Sequence, residues 1–64
     1  MKIKYDKEVD ILYIHFSERK IVESDEEKPG IILDYDELGN IVGIEVINAS
    51  TKMPQPMKLE YEVG

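Results

Sequence analysis

The sequence contains no cysteine and a single histidine, His15. The missing cysteines exclude disulfides, and with one histidine they leave no usual ligand set for structural zinc. Long apolar runs are missing too. The longest is Ile11–Ile14, whereas a membrane helix needs about 20 such residues. Lys2, Lys4 and Asp6 interrupt the N-terminus at once, so no signal-peptide apolar stretch forms there. A cytoplasmic protein without membrane association is expected. Glycine stands only at positions 30, 39, 43 and 64, a spacing that fits no phosphate-binding loop. At 64 residues the chain is expected to form one domain over 1–64. A chain this short buries only about 60% of its unfolded surface. With neither disulfide nor metal as a staple, a homodimer is expected to supply the missing burial.

Basic side chains are scarce: 8 Lys and Arg stand against 14 Asp and Glu, a net charge of −6. The imbalance is local. Residues 1–20 carry a net +1, residues 51–64 a net zero, and residues 21–50 a net −7. Nucleic-acid binders need basic stripes to displace phosphate counterions, so nucleic acid is excluded as a partner. The acidic run Glu23, Asp25, Glu26, Glu27 attracts a basic protein surface instead. Its plainer reading is a solvated loop that aids solubility.

What is present is apolar spacing with a period of two, a strand signal. Ile3 and Tyr5 share one face of a first strand, and Asp6–Asp10 has the length of a hairpin connection. Ile11–Phe16 is rich in β-branched and aromatic residues. Its Leu12, Ile14 and Phe16 point one way, and Ile11, Tyr13 and His15 the other. Ile21–Ser24 reads as a short edge strand and Asp25–Gly30 as a charged loop closed by Pro29-Gly30. Ile31–Asp36, the turn Glu37–Asn40 and Ile41–Ile47 form the clearest hairpin. Residues 49–55 read as irregular, with Pro54 and Pro56 forbidding helix or central strand. Met57, Leu59, Tyr61 and Val63 then alternate with polar residues as a last strand. The fold class is therefore mainly β, a small antiparallel β-meander or curled sheet. The alternative is α+β, with one short helix covering the sheet. Several segments are apolar on both faces, so curling, a helix or a second copy must cover the second face.

Four constellations carry candidate chemistry. Asp34, Asp36, Gly39 and Glu45 nearly match the calcium-loop spacing. The fit fails at Leu38, which has no ligand oxygen, and in its strand-rich surroundings. A plain hairpin turn is the preferred reading, and no metal is assigned. His15 and Ser17 share a strand face, but no oxyanion motif accompanies them, so His15 is read as packed beside Tyr13. Asp6 and Asp10 flank one connection. Paired carboxylates can do acid–base work, but aspartates at turn ends more often bind local N–H groups. Tyr5, Tyr13, Phe16, Tyr35 and Tyr61 lack interleaved arginines and read as core. No catalytic or cofactor-binding residue is assigned, and no cofactor is expected.

The strings Y-D-x3-D-x-L-Y-I, from Tyr5 to Ile14, and L-D-Y-D-x2-G-x-I-V-G-I-E, from Leu33 to Glu45, occur in order. Over roughly residues 1–50 the chain resembles domain-of-unknown-function family 2283, small bacterial and archaeal proteins. The family has no assigned biochemical activity, so the resemblance implies no catalytic residue. Its members resemble one half of two-gene modules, which implies an antitoxin-like role. Many members continue into a short helix after the position of Ser50, where Pro54 and Pro56 intervene here. The expected function is a non-enzymatic protein-interaction module. Its acidic residues Glu23, Asp25, Glu26 and Glu27 would meet a basic partner, such as a toxin-like nuclease. The alternatives are a small-molecule or metal-binding enzyme using His15 or the carboxylates, and a purely structural homodimer.

Overall fold

A computed structural model describes residues 1–53 and 60–64. Five strands form one open, wholly antiparallel sheet: β1 Lys2–Asp6, β2 Ile11–His15, β3 Glu23–Lys28, β4 Ile31–Tyr35 and β5 Ile41–Ile47. A single helical turn, α1 Ala49–Lys52, follows. The strand order is β1-β2-β5-β4-β3. A β1–β2 hairpin and a β3–β4–β5 meander therefore meet at β2 and β5, in the register Leu12↔Val46 and Ile14↔Ile44. The mainly β class expected from the period-two spacing is what forms. No helix among the described residues is long and apolar enough to cross a membrane.

The register divides the side chains between two faces, because alternate residues of a strand point to opposite sides. Ile3 and Tyr5, Leu12 and Ile14, Val42, Ile44 and Val46, and Ile31 and Leu33 form an apolar face. The opposite face carries Lys2 and Lys4, Tyr13 and His15, Gly43 and Glu45, Asp34 and Ser24. Burial peaks on the central strand β5, where Val42 and Val46 are buried, and at Ala49 on α1. It falls off towards β1: Ile3, Tyr5 and Phe16 are 38%, 37% and 40% exposed. The reading of the aromatics as core is corrected at these positions and at Tyr61, which is also exposed. Tyr5 lies on an edge strand, and Phe16 just past the end of β2, where few neighbours can cover a ring.

The hairpin turns follow the sequence. Gly30 and Gly39 adopt φ of 80° and 81°, the left-handed region that a side chain resists. Two readings are corrected. Residues 25–28 are not a loop but most of β3, which pairs with β4 as Ser24↔Asp34, Asp25↔Leu33 and Glu26↔Ile32, with a bulge before Lys28. Pairing costs these acids little at an edge, where their side chains stay in water while the backbone completes its ladder. Residues 49–52 are not irregular but helical, because Asp10, in the distant turn between β1 and β2, accepts the N–H groups of Ala49 and Ser50. The expected last strand begins at Met57–Leu59, outside the described residues, and its remainder, Glu60–Val63, forms no strand.

Candidate functional site

The four acids singled out in the sequence all lie on β3, an edge of the sheet, and all are exposed. Glu23 and Asp25 project on the apolar side of the sheet, opposite Tyr35 and Leu33, and Glu26 on the polar side, opposite Ile32. Two of them also brace the hairpin. Glu26 Oε2 accepts the Gly30 N–H at 3.0 Å, and Glu27 Oε1 accepts the Tyr35 hydroxyl at 3.3 Å. The acidic field is felt locally. Burial, then the charge and hydrogen bond of Glu27, then Asp25 and Glu23, hold the Tyr35 phenol above its ordinary range. Among the described residues no strand pairs with the outer side of β3, so its backbone donors and acceptors face solvent beside these carboxylates.

The opposite edge is close to balanced: β1 carries Lys2, Lys4 and Asp6, and Lys7, Glu8 and Asp10 follow in its turn. The charge asymmetry along the sequence thus becomes an asymmetry across the sheet, with one acidic rim and one of mixed charge.

A second cluster lies on the polar face, where Asp34 and Glu45 of the calcium near-match stand beside His15. Asp34 is only 1% exposed although it lies in a strand of a small sheet. The Ser24 hydroxyl donates to its Oδ1 at 2.6 Å. Gly43 stands between Asp34 on β4 and His15 on β2, and the missing side chain leaves a notch there. A Cβ on Gly43 would lie 3.5 Å from Asp34 Oδ2 and 3.8 Å from His15 Nδ1. Glu45 is the next residue on this face of β5. Burial, then a hydrogen bond to Asp34, then the Asp34 charge, raise its carboxyl above the ordinary glutamate range. The arrangement is a pair of neighbouring carboxyls, Glu45 and Asp34, on the polar face of the sheet. The available sequence signal was Asp34 itself, an acid set inside an apolar run and followed on the paired strand by Gly43-Ile44-Glu45.

The remaining candidates are structural. His15 stacks on Tyr13, ring centres 6.1 Å apart, as the sequence reading expected. Ser17 Oγ accepts the Arg19 N–H at 3.4 Å. Asp6 and Asp10 do not act as a pair. Asp6 Oδ1 accepts the Glu8 N–H at 3.1 Å within the turn. Asp10, at φ 57°, reaches across to α1. It accepts the Ser50 N–H at 3.0 Å, the Ser50 hydroxyl at 2.6 Å and the Tyr5 hydroxyl at 2.6 Å. These bonds, the Ser50 hydroxyl foremost and then that of Tyr5, hold the Asp10 carboxyl below its ordinary value against the effect of burial.

The residues of the near-match to a calcium loop do other work. Asp36 Oδ1 accepts the N–H groups of Leu38 and Asn40, each at 2.9 Å, and closes the β4–β5 turn. The Asn40 N–H is the main cause of its lowered pKa. Its buried Oδ2 has no hydrogen-bond partner and faces Arg19 Nη1 at 3.6 Å. Glu45 pairs opposite Ile32, well along the strand from this turn. Among the described residues no three His, Asp or Glu side chains converge as metal ligands.

A family model described as a protein of unknown function (DUF2283) matches residues 2–50. The match takes in all five strands, both rims and the Asp34–Glu45 pair. No curated protein and no solved structure matches the chain.

Proposed function

The chain belongs to the DUF2283 family of proteins of unknown function, and on that footing we propose that it is a non-enzymatic protein-interaction module. Its acidic edge strand captures a basic protein in an antitoxin-like manner. One observation carries this reading: β3 is an exposed edge whose unpaired backbone lies beside Glu23, Asp25, Glu26 and Glu27. An extended basic segment laid along β3 gains main-chain hydrogen bonds from strand addition and charge pairing from the carboxylates. The acidic field also speeds encounter with a basic surface and repels nucleic acid.

The test uses a fluorescent ten-residue peptide of alternating Lys and Val, with an alternating Glu and Val peptide as control. The basic peptide is expected to bind, with an association rate that falls steeply between 0.05 and 0.5 M salt because exposed charges are screened within about 10 Å at 0.1 M. Replacing Glu23, Asp25, Glu26 and Glu27 by Gln, Asn, Gln and Gln keeps an acceptor oxygen for Gly30 and Tyr35. It is expected to remove most of that salt dependence. Binding that ignores both salt and the four substitutions refutes the electrostatic edge.

An enzymatic reading is second and rests on the Asp34–Glu45 pair beside His15. Paired carboxyls suit acid–base chemistry. Against it, Asp34 is sealed from solvent, and the hollow beside Met1, Lys2, His15, Ser17 and Glu18 is lined by neither carboxyl.

A further inference from the structure

We propose that a second copy of this chain packs face to face on the apolar side of the sheet, over its β1–β2 half, through Ile3, Tyr5, Ile14 and Phe16. Three observations select this occupant and this geometry, independently of the partner proposed for β3.

The first is area. A compact monomer of 7.4 kDa exposes about 4,200 Å² by the usual scaling with mass. This chain exposes 5209 Å². Part of the surplus belongs to the exposed, irregular Glu60–Gly64. The rest is shared among exposed apolar side chains, Ile3, Tyr5 and Phe16 among them, and a stable interface takes about 800 Å² from each partner.

The second is where that surface lies. On β5 the apolar face is covered at Val42 and Val46, whereas Ile3 and Phe16 on the same face are more than a third exposed. Met1, which precedes Ile3 on the same side, is 71% exposed, and Tyr61 lies next to both in one shallow hollow. These side chains form one patch rather than scattered singles, which is the kind of surface that marks an interface.

The third is charge, and it decides how two copies can meet. A two-fold pairing of β3 with β3 sets Glu23–Glu27 against themselves. A two-fold pairing of β1 with β1 is opposed less, because Asp6 on the same strand can stand opposite Lys2 or Lys4. Like charges directly opposite oppose the β3 pairing, so the acidic edge does not close a symmetric dimer. A face-to-face dimer keeps both rims at the periphery, and two such sheets pack about 10 Å apart with their apolar sides interdigitated. It also leaves both acidic edges open, so the dimer is bivalent. The one edge contact that charge favours, β1 on β3 of the next copy, is head-to-tail and does not close.

Sedimentation of the full chain at micromolar concentrations in 0.15 M and 1 M NaCl tests the proposal. A species of twice the 7.4 kDa chain mass is expected in both, since burial of apolar surface survives salt. Ile3→Lys is expected to weaken the dimer on the order of a hundredfold, because a symmetric contact loses the side chain twice. Phe16→Ser gives the same reading if Ile3→Lys does not fold, folding being judged by cooperative unfolding. The double variant Lys2→Glu/Lys4→Glu is expected to leave the dimer intact. A monomer throughout, or assemblies that grow with concentration and dissolve in 1 M salt or in the double lysine variant, overturns the proposal.

Discussion

Gly43→Ala measures how tightly the centre of the sheet is closed. An added Cβ meets the Ile14 carbonyl oxygen at 3.0 Å, with Asp34 Oδ2 at 3.5 Å and His15 Nδ1 at 3.8 Å beyond it. The first contact is closer than most real Cβ contacts, and it is to backbone. Ile14 is paired with Ile44 in the β2–β5 ladder, the one seam joining the hairpin to the meander, so its carbonyl cannot swing aside cheaply. Alanine gains roughly 0.5–1 kcal/mol over glycine in a strand through the unfolded chain. Overpacking of a closed site costs about 1–3 kcal/mol. The sum is a net loss of about 1 kcal/mol, which lowers the melting temperature of a domain this size by roughly 4–8 °C. Gly39→Ala is the contrast. Nothing lies within 4 Å of its Cβ, so its penalty comes only from φ of 81°. Urea unfolding of both variants, read by far-UV circular dichroism, separates the two causes. Gly43→Asn, which is larger still, is expected to be worse than Gly43→Ala. At position 39, Asn is expected to be better than Ala because it tolerates the left-handed conformation. A Gly43→Ala protein more stable than the parent refutes the close approach of β2, β4 and β5 at the notch.

Two further predictions concern pH. Glu45 has a folded-state pKa above its unfolded value. Its contribution is therefore fully present below the ordinary glutamate pKa of about 4.3 and is lost as pH rises through the raised value. Glu45→Gln, which does not titrate, is expected to flatten that alkaline-side loss in melting curves between pH 4 and 8; an unchanged slope refutes the raised Glu45. Asp10 and Asp36 are shifted downward, so their contribution is present above about 3.9 and is lost as pH falls through their lowered values. Asp10→Asn is expected to shrink the acid loss of stability and to lower the melting point at pH 7, because Ser50 and Tyr5 lose a charged acceptor. An acid limb identical to the parent's would sink the assignment.

The sequence by itself determined the class of the fold and most of its strands. Period-two spacing places Ile3 and Tyr5, Ile11–His15, Ile31–Tyr35 and Ile41–Ile47 in strands. Pro29-Gly30 and Gly39 mark the turns, because only their backbones take those conformations at low cost. The two strings around Asp10 and Asp34 were enough to indicate the family. Local signals failed where the structure depends on residues far apart in the chain. Glu23–Lys28 has poor strand propensity and pairs because β4 offers a free edge. Ala49–Lys52 turns helical because Asp10, forty positions from Ser50, accepts its N–H groups. The order β1-β2-β5-β4-β3 follows from β2 meeting β5, a contact no spacing records. That contact brings His15 into one row with Gly43 and Asp34, so the place of His15 beside the hairpin's carboxyl pair belongs to the tertiary structure alone. It also gathers much of the charge imbalance along the sequence onto one edge of the sheet. A sequence shows how many charges a segment holds, whereas the sheet decides which of them share an edge.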